Sequence, residues 1–297
     1  MNLDELLARA ERLELRSRFL ARSMYAGLYQ SAFRGHGMEF AEVREYAEGD
    51  DIRLIDWNVS ARSQSLFVKK MEEERERNVL LILDTSGSLA FGSVRRTKFE
   101  LISELASLLV LSAFLARDRV SLACFDSKVN LYVPAAKGWT HAARLIREIA
   151  AQEPGGACDR MEPIWGFLNS PAVARSLVFL FADFQAPLSP CNSFAVSCRK
   201  HELVLLLASD PREWRLPQVG RLRVRDPETR NTRVINTQAK GLAEEFERVA
   251  AGKRAGVLNL LSGCGADWAE FDTGADSETQ LRRFLDMRTA RKGYRRR

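Results

Sequence analysis

The pattern of polar and apolar positions changes near residue 78. Residues 1–77 carry charged and aromatic side chains with only short apolar runs, whereas residues 79–83 are apolar without a break. An unbroken apolar run of that length predicts a strand buried on both faces. A helical pattern follows over residues 97–116, then an apolar run over 119–125 and a short strand over 129–133. The alternation continues with a helix over 141–151, a buried strand over 177–181, a weaker helix over 191–200 and a third buried strand over 203–207. Strands alternating with helices predict an α/β fold, a mostly parallel sheet covered by helices on both faces. Residues 210–237 break the pattern with Pro211, Pro217, Gly220, Pro227 and the alternating run Arg221-Leu222-Arg223-Val224. They predict a β-hairpin insertion over about 212–237 with its turn near 228–231. A helix over about 238–251, a short strand near 268–271 and a last helix over about 277–289 complete the chain.

Composition narrows the classes. The chain has 297 residues, 46% hydrophobic and 28% charged. That is enough to bury a large core without disulfides and excludes a disordered or collagen-like chain. The net charge of +6 is uneven, because residues 291–297 hold five basic side chains and no acidic one. The body carries only about +1, too little for a basic nucleic-acid-binding face, so no specific nucleic acid is expected. The tail, a cluster of like charges, is expected to be disordered. Five cysteines form no C-x-x-C pair, and His36, His141 and His201 have no metal-ligand spacing, so structural zinc is not expected. The first twenty residues read as a charged amphipathic helix, with Leu3, Leu6, Leu7, Ala10 and Leu13 on one stripe. The longest apolar region, 101–116, is interrupted by Ser103, Glu104, Ser107 and Ser112 and is shorter than a membrane span. The expectation is a cytoplasmic protein with reduced thiols and no transmembrane segment.

The residues with chemical potential lie where the first buried strand ends, in Asp84-Thr85-Ser86-Gly87-Ser88. In open α/β sheets ligands bind at the carboxyl ends of strands. One carboxylate and two hydroxyls at alternate positions make a hard, all-oxygen donor set suited to Mg²⁺ or Mn²⁺. The alternative is a turn in which Ser86 or Ser88 caps a helix. No G-x-S-x-G occurs, no histidine falls in the predicted site loops, and Ser86 stands where an aspartyl-phosphate phosphatase would want a second aspartate. The expectation is therefore not an enzyme.

The D-x-S-x-S loop resembles the metal-ion-dependent adhesion site of the von Willebrand factor A fold. The resemblance implies an aspartate after the next central strand, where Asp183 stands, and a threonine from a later loop. The loop 155–159 has no threonine; Cys158 and Asp159 fall nearest that place. A thiol is a soft donor and a poor substitute for a hydroxyl.

A second resemblance rests on the N-terminal segment. Gly37-Met38-Glu39-Phe40, Arg44, Tyr46, Gly49-Asp50-Asp51, Arg53, Ile55-Asp56-Trp57, Ser60-Ala61-Arg62 and Val68-Lys69 resemble the signature of the bacterial domain of unknown function number 58 family. The likeness continues through residues 88–93, Lys98-Phe99-Glu100, Asp210-Pro211 and Pro227-Glu228-Thr229. It implies a von Willebrand A-like, Rossmann-like domain over 78–290, preceded by a helix and a β-rich signature segment over 1–77. It also implies a partner, a MoxR-type AAA+ ATPase. Arg44, Asp50, Asp51, Arg53, Asp56 and Arg62 are expected either as a buried ion-pair network or, with Tyr46 and Trp57 as anchors, as a recognition surface. The charged run 69–77 reads as a solvated connector, and Phe33-Arg34-Gly35-His36-Gly37 as a turn. The function these readings imply is metal-mediated protein–protein binding, an adaptor in protein assembly or remodelling. Asp84, Ser86, Ser88 and Asp183 would hold the ion, which would accept a partner's carboxylate. The alternatives are a metal-dependent phosphoryl-transfer hydrolase and a metal-free structural subunit.

Overall fold

The computed structural model describes residues 29, 38–63, 65–73, 77–156, 158, 160–185, 192–225, 231–263 and 266–294. The expected N-terminal helix, the turn at 33–37 and the tip of the hairpin insertion lie outside them. The chain divides into two units, residues 33–76 and the remainder.

In the smaller unit, β1 (Met38–Glu45) pairs antiparallel with β2 (Phe67–Glu73). The strand β2 takes in the first half of the charged run, which is therefore not simply a connector. Between the strands Asp56 caps the short helix α1 (Trp57–Ser60), accepting from the amides of Asn58 and Val59. Ile55 and Val68, bridged to each other, are buried.

The larger unit is a mixed α/β structure around a six-stranded sheet of order β10-β7-β6-β3-β4-β5. Its strands are β3 (Asn78–Asp84), β4 (Arg119–Phe125), β5 (Val129–Ala136), β6 (Leu177–Ala182), β7 (Glu202–Ser209) and β10 (Asp267–Asp272). All neighbours are parallel except the edge pair β4–β5. The strands β3 and β6 are almost wholly buried along their length, as their unbroken apolar runs require. The insertion is a separate hairpin of β8 (Arg221–Arg225) and β9 (Thr232–Asn236).

The helix α2 (Lys98–Leu115) starts at a capping box in which Thr97 and Glu100 satisfy each other's amides. It is apolar nearly all round and buried from Lys98 to Ala113 with one break, as such a helix must be. It packs against α3 (Trp139–Ala151) and α7 (Ser277–Tyr294). A core cluster joins Leu80, Ile82, Leu180 and Leu205 of the sheet to Trp165 and Leu168 of α4 (Glu162–Asn169), Phe194 of α5 (Asn192–Lys200) and Leu261 of α6 (Leu242–Gly263).

The structure departs from the sequence expectation in four places. The helix α4 was not foreseen, because it is short and Pro163 reads as a breaker. Pro163 lies in its first turn, where proline is tolerated. The helix α6 runs twelve residues further than expected, to Gly263, because Leu261 joins the core beyond Gly252 and Gly256. The helix α7 continues to Tyr294, so residues 291–294 of the basic tail are helical rather than disordered. Tyr29, which the sequence grouped with the signature segment, is buried and donates to Asp118 of the α/β unit at 3.0 Å.

Candidate functional site

Chain connectivity fixes where a site forms. From β3 the chain moves to β4 and β5 on one side, then crosses to β6 on the other. The strand ends of β3 and β6 therefore flank a switch point, the crevice where α/β sheets bind ligands. Leu83 pairs with Phe181, so Asp84, the last residue of β3, and Asp183, just past β6, emerge side by side.

The loop after β3 is tightly folded. Asp84 Oδ1 accepts from the Ser86 amide at 2.8 Å, and Thr85 bonds the Phe125 carbonyl through both its amide (2.7 Å) and its hydroxyl (2.9 Å). Thr85 is thereby turned away while Asp84, Ser86 and Ser88 line one pocket. Ser86 precedes the 3-10 turn Gly87–Ala90, but its side chain makes no capping bond. Its hydroxyl lies 3.1 Å from that of Ser88. The capping alternative is thus not what Ser86 does.

Asp183 is held by its own turn. Its Oδ1 accepts from the Gln185 amide at 3.1 Å, and Phe184 between them has φ +51°. A bulky residue in the left-handed region costs energy, and such strain gathers where structure serves a site. Phe184 is buried, while Gln185 is exposed. Both line the pocket with Met161 and Cys158.

The third loop docks onto the first. The Gly155 amide donates to the Thr85 carbonyl and the Gly87 amide to the Gly156 carbonyl, both at 2.9 Å. Gly156 has φ +92°, and a Cβ there would stand 3.0 Å from Asp126 Oδ2, so this turn needs glycine. Cys158 lines the pocket, 6% exposed, with Sγ 3.8 Å from the Arg160 carbonyl. Asp159 lies outside the described residues.

Sequence reading missed the cation of the site. Lys98 is buried, and its Nζ donates to Asp183 Oδ2 at 2.7 Å and to Glu213 Oε1 at 2.6 Å. Glu213 Oε2 in turn accepts from the Asp210 amide at 2.9 Å. The Asp210 carboxylate takes the Ser93 amide at 2.9 Å and the Thr273 hydroxyl at 2.5 Å. A polar chain thus joins the ends of β6, β7 and β10. Two signals pointed to it: a lysine in the first turn of a helix, where the dipole disfavours it, and the capping-box spacing of Asp210 and Glu213.

The electrostatics follow from burial. Asp84 is 2% exposed. Desolvation first, and the neighbouring Asp183 second, push its carboxyl up to about 7. Burial works against the Lys98 ammonium, but Asp183 and Glu213 outweigh it and hold the group above its ordinary value. Burial raises Glu213 despite the pull of Lys98. Among the described residues no three His, Cys, Asp or Glu side chains converge as a metal cluster. The oxygen-bearing side chains that line this pocket are Asp84, Asp183, Ser86, Ser88 and Gln185, with the Cys158 thiol as the one soft donor among the described residues. The oxygens are a hard set that a small divalent cation fits.

The signature residues form something different. Arg44 binds Asp50 through two bonds of 2.6 and 2.8 Å, and Arg53 reaches Asp51 at 2.9 Å. Tyr46 is half-buried, Arg62 is exposed, and Trp57 is 67% exposed. The expected buried network is instead a pair of local surface contacts, because Arg44 and Arg53 each find an acid within six residues.

Fold and site together describe a mixed α/β protein with a paired-carboxylate pocket at its switch point. The family described as "Protein of unknown function DUF58" matches residues 42–256, and the chain belongs to it. The uncharacterized protein Mb1516 of Mycobacterium bovis is 30% identical over 256 residues, 86% of this chain and 80% of its own. Among solved structures, the conserved hypothetical protein BatB of Bacteroides thetaiotaomicron is 15% identical, with a TM-score of 0.44 over 72% of this chain and 99% of that one. An aerotolerance-related membrane protein of Bacteroides fragilis is 14% identical, with a TM-score of 0.43 over the same shares.

The last of these corrects the expected partners. A carboxylate-bearing protein and a MoxR-type ATPase were expected, with no transmembrane segment; neither partner is shown, and this neighbour is a membrane protein by name. Among the described residues no helix is long and apolar enough to cross a membrane.

Proposed function

We propose that the larger unit is a von Willebrand A-like, metal-dependent protein-binding module that acts as an adaptor rather than an enzyme. Asp84, Ser86, Ser88 and Asp183 would hold one Mg²⁺ or Mn²⁺ ion, and the ion would supply a Lewis-acidic point of attachment. The reading is carried by one observation: carboxylates from two adjacent parallel strands and two hydroxyls 3.1 Å apart line the same pocket at the switch point. Desolvated carboxylates side by side repel, and a divalent cation relieves that repulsion. Ser86 and Ser88 add oxygen donors without adding charge. The hydrolase alternative finds no histidine among the described residues that line the pocket. His141 is engaged with the Val120 carbonyl, and His201 lies between the Ser176 amide and the Leu168 carbonyl.

Two measurements test the proposal. Calorimetric titration with Mg²⁺ and Mn²⁺ is expected to show one ion bound by the wild type and none by Asp84→Ala. Affinity capture from the native cell is expected to retain a protein that is lost both in EDTA and with Asp84→Ala. Absence of metal binding overturns the reading, and metal-dependent cleavage of a generic phosphate ester would favour the hydrolase.

A further inference from the structure

Lys98 is a charge that the metal reading does not require and that the fold disfavours. Its side chain is 1% exposed, and burying an ammonium is costly unless it is paired. It also sits one residue after the cap of α2, where the helix dipole opposes a cation. What retains it is a pair of carboxylates on either side, Asp183 at 2.7 Å and Glu213 at 2.6 Å. Asp183 therefore enters the site with both oxygens engaged, Oδ2 by Lys98 and Oδ1 by the Gln185 amide. Glu213 divides its oxygens similarly, between Lys98 and the Asp210 amide.

With all acids ionised, Asp84, Asp183, Glu213 and Lys98 sum to two negative charges, which one divalent ion neutralises. Without Lys98 the same groups would hold three. Resting on the metal reading above, we propose that Lys98 is a tethered cation that competes with the divalent ion for Asp183. Glu213 is the second acceptor, on which the ammonium remains when the ion takes Asp183. The arrangement keeps the pocket assembled, with one of its three negative charges already offset, before an ion arrives, and sets the affinity below what the oxygen donors alone would give. Lys98 is thus a positioning residue, because it reaches the ion only through Asp183.

The test is a double-mutant cycle read by calorimetric Mg²⁺ titration. Lys98→Met removes the competing charge at similar length and is expected to tighten Mg²⁺ binding at least tenfold while lowering the metal-free melting temperature. Glu213→Gln takes away the alternative acceptor and is expected to weaken Mg²⁺ binding. In the Lys98→Met background the same Glu213→Gln change is expected to have little effect, because Glu213 acts through Lys98. Should Lys98→Met fail to fold, Lys98→Gln, which keeps a donor without the charge, takes its place in the cycle. Wild-type binding with equal or weaker affinity in the Lys98 variant overturns the gate and leaves the metal reading standing. An undiminished effect of Glu213→Gln in the double variant also overturns it, since Glu213 would then be a plain remote charge. No binding by any of the proteins overturns the metal reading and the gate together. Binding by the Lys98 variant alone supports both.

Discussion

Two clusters of acids and bases in this chain have nearly the same hydrogen-bond lengths and opposite surroundings. Lys98 meets Asp183 at 2.7 Å with side chains 1% and 3% exposed. Arg44 meets Asp50 at 2.6 Å with side chains 46% and 21% exposed, and Arg53 meets Asp51 at 2.9 Å at 86% and 42%. Distance does not separate them; solvent does. Exposed pairs are screened and contribute little, whereas breaking a buried pair strands an uncompensated charge. One cluster builds the interior of a pocket and the other decorates a small unit's surface.

The largest effect expected from this contrast is on the buried side. Lys98→Met leaves Asp183 and Glu213 facing each other without a cation, and should cost the metal-free protein about 3–5 kcal/mol. Chemical denaturation in EDTA measures it. A loss under about 1 kcal/mol would place the Lys98 cluster with the surface pairs of Arg44 and Arg53.

The pH response sharpens the same contrast. The Asp84 carboxyl sits at about 7, against about 3.9 when unfolded. Between those values the folded chain holds a proton that the unfolded chain has released, so stability falls as pH rises. The contribution is full below about pH 4 and gone above about 7, at most about 4 kcal/mol in all. Melting curves in EDTA from pH 5 to 8 should show the decline, and Asp84→Asn should flatten it. Divalent ions compete with that proton, so metal-dependent stabilisation should be larger at pH 8 than at pH 6.

A smaller effect is expected at the third loop. Cys158→Thr puts a hard oxygen where a soft sulfur lines the pocket. A tenfold gain in Mg²⁺ affinity adds about 1.4 kcal/mol of stability in saturating metal. The competing outcome is a cost of roughly 1–3 kcal/mol for burying the hydroxyl, present with and without Mg²⁺. Melting curves in both conditions separate the two, because the signs are opposite.

What was legible in the sequence followed from local pattern. The apolar runs at residues 79–83 and 177–181 located two central strands, and their ends located Asp84 and Asp183. The loop at 155–159 was singled out through the resemblance, which implies a further donor from a later loop. Lys98 and Glu213 stayed hidden for a different reason. They lie 115 residues apart and meet only because α2 begins, and β7 ends, beside the pocket. The local signals, a lysine in the first turn of a helix and a capping-box spacing, do not by themselves mark either side chain as buried. The signature segment failed in the opposite direction: its acids and bases are so close in sequence that they satisfy one another at the surface.

The smallest effect is expected from that segment, and it decides whether surface pairing is its whole role. Arg44 and Asp50 each hold the other's charged form, through their mutual hydrogen bonds first. Both are open to water, so the pair should contribute no measurable stability at moderate salt. Arg44→Ala and Arg53→Ala should therefore leave the denaturation midpoint of the full chain unchanged. Asp56→Ala should move it slightly more, because Asp56 caps α1 through two backbone amides, although a cap on four residues stabilises little else. If the surface alternative for the signature holds, the same arginine variants and Trp57→Ala should weaken capture of the protein retained by wild type while leaving melting unaffected. Exposed Trp57 is the anchor type such surfaces use. A midpoint lowered by Arg44→Ala as far as by Lys98→Met would erase the distinction between the two clusters. The Arg44–Asp50 pair would then have to be buried in the protein in solution.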